Sequence, residues 1–67
     1  MAENFWVEWG WRLATARGEK GLSQEQVARK AGISRVGISQ IERGLRSNVT
    51  HRVRVKLEKV FPSLTIA

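Results

Sequence analysis

Cysteine is absent from this 67-residue chain, which also has only one histidine and one proline. Without thiolates and with a single imidazole, a disulfide framework and a zinc centre built from Cys and His ligands are excluded. We therefore expect no metal and no cofactor, and packing alone must stabilise the fold. No run of about 18 apolar residues could span a bilayer, and the start "MAENFWVEWGWRL" lacks the basic segment of a signal peptide. These absences predict a cytoplasmic protein with no membrane partner.

Acidic residues are scarce in the second half of the chain. The whole chain has 12 Lys and Arg against 6 Asp and Glu, for a net charge of +6. Residues 29–67 carry nine of these basic residues and only Glu42 and Glu58 as acidic ones. A concentrated positive charge attracts a polyanion, and nucleic acid is the commonest one in a cytosol. A solvated basic surface that only maintains solubility is the alternative interpretation.

Alternating apolar and polar residues are rare outside "RVRVKL", whereas apolar residues at spacings of three and four recur throughout. This pattern predicts an all-α fold, with helices at about 4–19, 24–31, 35–43 and 51–61. An edge strand at "HRVRVKLEKV" is the weaker interpretation, because no partner strand exists elsewhere. We expect one domain over residues 1–67: a bundle of four helices, or five if the tail adds one. The tail itself, residues 62–67, is expected to be loosely held.

The stretch "SQEQVARKAGISRVGISQIERG", residues 23–44, contains two short helix signals separated by one glycine. Ser23 and Gln26 have the spacing of a capping box, which predicts a helix start at Gln24. Ala28 supplies the small residue needed where two helices cross closely, and Gly32 tolerates the positive φ of a tight turn. Apolar residues occupy the four positions that pack helix on helix: Val27, Ile33, Ile38 and Ile41. Residues 24–43 therefore meet the steric demands of a helix-turn-helix.

The chain resembles the phage repressor and Cro-type family, also called the xenobiotic-response-element regulators. The resemblance covers about residues 9–61 and rests on "WGWRLATAR", "GLSQEQVARKAGIS" and "ISQIERG". It implies a lambda-repressor-like domain that binds double-stranded DNA. It also implies a structural ion pair between Arg17 and Glu42, which would tie the third helix to the first.

The third helix would be the recognition helix of such a domain. Hydrogen-bonding and methyl-bearing side chains on its outer face suit base edges in the major groove, and these are Arg35, Val36, Ser39 and Gln40. The resemblance implies base contacts by Arg35, Val36 and Gln40, with Ser39 beside them. Gly37 departs from the Ser or Thr usual in the family. Either its backbone closely approaches DNA or the second helix, or the glycine has no functional reason.

Phosphate contacts would position the protein on the duplex. The resemblance implies that Gln24, at the start of the second helix, anchors a phosphate. The other predicted phosphate-contacting residues cap the third helix or lie in and around the connector that follows it: Ser34, Arg43, Arg46, Ser47, Asn48 and Thr50. The basic residues of the fourth helix either add to this set or are only solvated.

A palindromic operator requires two copies of the chain. We expect a weak homodimer, completed on DNA, because only a short apolar segment is available for the family's usual contact after the fourth helix. This segment comprises Phe61, Leu64 and Ile66. A second apolar stripe on the first helix, around Trp11 with Val7 and Ala14, is the competing interface.

Together these features predict a sequence-specific, repressor or Cro-like transcriptional regulator. No nucleophile, paired carboxylates or small-molecule site suggest catalysis, so we expect no enzyme. One alternative is an antitoxin or protein-interaction adaptor on the same scaffold. Another is a nonspecific nucleic-acid binder that acts through charge alone.

Overall fold

Four α-helices and one 3₁₀ turn make up the described part of the chain. The computed structural model describes residues 2–46 and 49–65, with side chains described from residue 5 onward. The helices are α1 (Ala2–Glu19), α2 (Gln24–Ala31), α3 (Arg35–Glu42) and α4 (His51–Val60), and the 3₁₀ turn is Pro62–Leu64. These two ranges contain no strand. The all-α prediction is confirmed, and "RVRVKL" lies within α4.

Side-chain caps start the three shorter helices at the predicted positions. The Ser23 hydroxyl accepts from Gln26 N at 3.1 Å, and Gln26 Oε1 accepts from Ser23 N at 2.8 Å, which completes the capping box. Ser34 caps α3, and Thr50 caps α4. Because these hydroxyls satisfy backbone N–H groups that have no partner within the helix, each helix start is encoded locally.

The turn between α2 and α3 depends on Gly32. Its φ of 73° lies in the left-handed region that side chains other than glycine rarely adopt, and its N–H closes the end of α2. The first helix differs from expectation at its start. Asn4 was predicted to cap it, but the helix begins at Ala2 and Asn4 lies inside it. The predicted boundaries are otherwise accurate to within one residue.

The core draws on all four helices, the connector and the 3₁₀ turn. Val27, Ala28 and Ala31 from α2 and Ile38 and Ile41 from α3 are buried, as the spacing predicted. The other buried apolar residues are Trp9, Leu13, Ala16, Val49, Leu57, Phe61 and Leu64. One shared core therefore holds the helix-turn-helix against α1 and α4.

The C-terminal segment corrects two predictions. Phe61 and Leu64 are 1% and 0% exposed, so they belong to this chain's own core and cannot form a dimer contact. The 3₁₀ turn packs against α1 and α4 and is not loosely held. Burial of two large apolar side chains stabilises the segment because it removes apolar surface from water. Ile66, the third predicted dimer residue, lies outside the described residues.

Gly10 sets the crossing of α1 over α3. A Cβ atom at this position would overlap the carbonyl oxygen of Ile41. The backbones of the two helices therefore approach more closely than any residue with a side chain allows. This crossing fixes the C-terminal end of α3 against the scaffold.

Candidate nucleic-acid interface

The two sides of α3 differ sharply in burial. Ile38 and Ile41 are 0% and 1% exposed and face the core. Arg35 is exposed, and Val36 is 55% exposed. Ser39 and Gln40 follow one turn later and are half-buried. Positions separated by four residues share a helix face, so the four predicted base-contacting residues lie together on the outer side.

Gly37 faces the turn between α2 and α3. A Cβ atom there would lie 3.2 Å from Ile33 Cδ1 and 3.5 Å from the Ser34 hydroxyl oxygen. The N–H of Gly37 donates to that hydroxyl at 3.1 Å. The nearest neighbours of Gly37 are therefore Ile33 and Ser34 in the turn and not α2. Close approach to DNA stays a prediction.

Arg17 and Glu42, the residues predicted to pair, are in bidentate contact. Arg17 Nε and Nη2 donate to the two carboxylate oxygens of Glu42 at 2.6 and 3.1 Å. Arg17 Nη1 also donates to the carbonyl oxygen of Leu22 at 2.9 Å. The hydrogen bond to Glu42 raises the pKa of Arg17, against a smaller lowering by burial. The Glu42 side chain is only 6% exposed, so this pair is sheltered from solvent screening.

Gln24 joins the same network. Its side-chain amide donates to Glu42 Oε1 at 3.0 Å, which connects the first residue of α2 to the last residue of α3. The sequence suggested a phosphate contact for this side chain and gave no sign of an internal partner. A primary amide has two N–H groups, and one of them is used by Glu42. The phosphate contact of Gln24 therefore stays a prediction for the second N–H.

The other predicted phosphate-contacting residues lie at the two ends of α3 and before α4. Arg43, Arg46, Ser34 and Thr50 are exposed. The hydroxyls of Ser34 and Thr50 accept backbone N–H groups as helix caps, and each retains its own hydrogen as a donor. Ser47 and Asn48 lie outside the described residues.

Basic residues of α4 are partly used inside the protein. Arg54 Nε donates to Glu58 Oε2 at 3.0 Å, and its guanidinium lies 5.4 Å from the Phe5 ring centre and 5.9 Å from that of Trp6. This geometry allows cation–π attraction to both rings. Arg54 therefore ties α4 to the first turns of α1.

Leu45 is a surface residue that the sequence did not single out, because the connector reads as polar. Its side chain is 64% exposed. Its N–H donates to the carbonyl oxygen of Gln40 at 2.9 Å, and Gly44 N–H donates to Ile41 O at 3.1 Å. These two bonds form the Schellman-type end of α3. The signal available in the sequence was an apolar residue directly after the terminating glycine.

Over residues 2–46 and 49–65, no cluster of three or more His, Asp or Glu side chains could hold a metal ion. In the described part of the chain, every helix is too short or too polar to cross a membrane.

Two short helices that pack on each other, turn at Gly32 and leave the first residues of the second one exposed define a helix-turn-helix protein. A family model described as helix-turn-helix matches residues 13–66. The chain belongs to this family, the DNA-binding helix-turn-helix regulators of the phage repressor and Cro type. Comparisons with curated proteins and with solved structures return no significant match.

Proposed function

We propose that this protein is a sequence-specific, repressor or Cro-like transcriptional regulator that reads the major groove of double-stranded DNA with α3. The observation that carries the proposal is the one-sided exposure of α3. Its buried side is apolar, and its outer side presents a guanidinium, methyl groups, a hydroxyl and an amide. A major groove is wide enough to admit a helix with such a surface.

Each outer side chain matches a base edge. Arg35 has the paired donors for O6 and N7 of guanine, and Gln40 has the donor and acceptor for N6 and N7 of adenine. Val36 offers methyl groups to the thymine methyl, and Ser39 can bond to either kind of edge. The order of these residues along α3 would set the order of bases in a half-site.

Phosphate contacts would orient α3 in the groove. Arg43 and Arg46 carry charge at its C-terminal end, while Ser34, Thr50 and the second N–H of Gln24 supply neutral donors. The predicted contacts of Ser47 and Asn48 extend this set. Replacing Arg46 with Ala should reduce the slope of log affinity against log salt by about 0.9, because one phosphate contact releases one counterion. Gln24→Ala should weaken binding without changing the slope, since no charge is lost.

One recognition helix reads only a few base pairs, so two half-sites are needed to single out an operator among many competing sites. The proposal therefore includes a palindromic operator filled by two copies of the chain. The proposed regulator acts in the cytoplasm. The proposal includes no catalytic step.

Selection of bound sequences from a pool of random duplexes tests this function directly. A preferred palindromic sequence is expected, bound at least about 10³-fold more tightly than random duplex. Arg35→Ala and Gln40→Ala should each cost about 1 to 3 kcal/mol on that sequence and relax preference at one base position.

Arg29→Ala is the matched control for this test, because Arg29 is exposed on α2 and its only described ion pair is the loose 3.7 Å contact with Glu25. It removes the same charge away from the proposed reading surface. If every duplex bound equally well and Arg29→Ala weakened binding as much as Arg35→Ala, the protein would be a charge-driven binder and the proposed function would be wrong.

A further inference from the structure

The Gln24 side chain joins the start of α2 to the end of α3. Gln24 is the first residue of α2 and is half-buried. Its Nε2 donates at 3.0 Å to Oε1 of Glu42, the last residue of α3. The two residues are 18 positions apart in the sequence, so this hydrogen bond closes the helix-turn-helix on the side away from its turn.

The Glu42 carboxylate decides which side of the Gln24 amide faces inward. Both carboxylate oxygens accept from the Arg17 guanidinium, at 2.6 and 3.1 Å. An ionised carboxylate only accepts hydrogen bonds, whereas a primary amide has an accepting oxygen and a donating nitrogen. Turning the amide over would place its oxygen against a carboxylate oxygen, with no hydrogen between them. The amide nitrogen therefore faces Glu42.

The Glu42 carboxylate is itself held in one orientation. Its side chain is 6% exposed, and two hydrogen bonds from one guanidinium fix its plane. Arg17 is fixed in turn, because its Nη1 donates to the carbonyl oxygen of Leu22 at 2.9 Å. Leu22 directly precedes Ser23, the cap of α2. The orientation that Glu42 gives to Gln24 is therefore a property of the folded chain.

The second N–H of Gln24 lies where a phosphate is favoured. Glu42 accepts from one hydrogen of Nε2, and among the described residues no acceptor is found for the other. Because both N–H bonds lie in the plane of the amide, fixing the first restricts the direction of the second. The start of α2 also favours an anion, since the first backbone N–H groups of a helix lack partners within it.

We infer that Glu42 is a positioning residue for DNA binding. It touches no phosphate itself, and it orients the Gln24 amide so that the second N–H meets a phosphate of the duplex. The inference rests on the proposed function, from which it takes the phosphate contact of Gln24. It adds that the carboxylate ending α3 controls this contact, so that phosphate anchoring and the placement of the base-reading helix depend on one side chain.

A double-mutant cycle on duplex affinity tests this role. Phosphate contacts carry no sequence information, so a random duplex is the probe. Gln24→Ala should weaken binding about tenfold in the natural chain, as expected for one hydrogen bond to a charged group. In the Glu42→Gln background the same change should cost less than about twofold, because a neutral amide also donates and no longer selects one orientation of Gln24.

Gln26→Ala is the matched control for this cycle. Gln26 has the same amide in the first turn of α2, but its oxygen accepts from Ser23 N at 2.8 Å in the capping box. Its effect on duplex affinity should be equal with and without Glu42→Gln. Chemical denaturation of each variant gives its folded fraction, so that affinities are compared for folded protein alone.

NMR of the side-chain amides gives a second readout that needs no variant. The two hydrogens of Gln24 Nε2 are chemically distinct and give separate signals. Addition of the random duplex to the natural chain should shift the signal of the hydrogen that is not bonded to Glu42 more than that of the other. The side-chain amide signals of Gln26 should stay in place.

Equal effects of Gln24→Ala in the two backgrounds would give Glu42 a structural role only and overturn the inference. Coupling as large for Gln26→Ala, or Gln24 amide signals that do not respond to the duplex, would overturn it as well. Each of these results leaves the proposed function in place. The proposed function fails instead if no duplex sequence is preferred, and the cycle on a random duplex can still be measured in that case.

Discussion

The two ends of α3 are held in opposite ways. At the C-terminal end, Glu42 is 6% exposed and accepts three hydrogen bonds from Arg17 and Gln24. The backbone of Ile41 lies directly under Gly10. At the N-terminal end, Arg35 and Val36 are exposed, and the Ser34 cap is the local support. One end is attached to the scaffold, and the other presents exposed side chains.

This difference follows from the length of the helix. A helix of eight residues is marginal on its own, so tertiary contacts must hold it. A side chain that forms such a contact is not available to read a base. Placing the attachment at one end leaves the first turn free for the proposed base reading, and the rigid end limits how far that turn can move.

The largest expected effect is at the crossing of α1 and α3. Gly10→Ala should destabilise the protein by about 3 kcal/mol or more, because the added methyl group overlaps the Ile41 carbonyl and forces the helices apart. Chemical denaturation monitored by tryptophan fluorescence measures the change. Gly18→Ala is the control in the same helix, since its Cβ would have no neighbour within 4 Å. It should be neutral or stabilise by up to about 1 kcal/mol. Equal effects of the two substitutions would contradict the close crossing.

The next largest effect should come from the polar network. Glu42→Ala should cost about 2 to 4 kcal/mol, because Arg17 and the Gln24 amide lose a sheltered partner. The Glu8–Arg12 pair is the comparison, with side chains 65% and 43% exposed. Glu8→Ala should cost less than about 1 kcal/mol. DNA affinity should fall in Glu42→Ala alone, since only that variant loosens α3. A Glu42→Ala protein as stable as Glu8→Ala would show that the network contributes little.

The smallest effect is expected at the free end. Ser34→Ala should cost about 1 kcal/mol, and Ser34→Gly only a few tenths, because glycine tolerates the cap conformation and exposes the N–H groups to water. Hydrogen exchange gives the local readout. The amide of Gly37 should exchange faster in Ser34→Ala, while amides near Glu42 keep their protection. Faster exchange along the whole helix would mean that the two ends are not held independently.

The sequence was most informative where a contact is local or sterically demanding. The Ser23–Gln26 capping box and the Gly32 turn follow from residues three to nine positions apart, and the structure has both. The four predicted base-contacting residues share one face of α3 because of the 3.6-residue helical period alone. The Arg17–Glu42 contact is 25 residues apart in sequence, and it was anticipated only through the resemblance to the family.

Contacts between distant segments were the ones that the sequence left open or assigned wrongly. Leu64 was predicted to lie in a loosely held tail and to contact a second copy, but it fills the core between α1 and α4. For Arg54 the sequence left open a phosphate contact or a solvated position, but its guanidinium lies over Phe5 and Trp6. The residues that Leu64 and Arg54 contact are distant in the sequence, and many other surroundings would satisfy the same two side chains.

By itself the sequence determined the helices, the caps of the three shorter ones, the turn and the side of α3 that faces away from the core, because each depends on backbone geometry and periodicity over a few residues. Only the tertiary structure decided that Gln24 binds Glu42, that Phe61 and Leu64 are internal, and that Gly44 lies against Val7. These outcomes depend on how the helices pack in three dimensions. Small differences in the angle at which two helices cross, or in the length of a side chain, select one partner among several with similar chemistry.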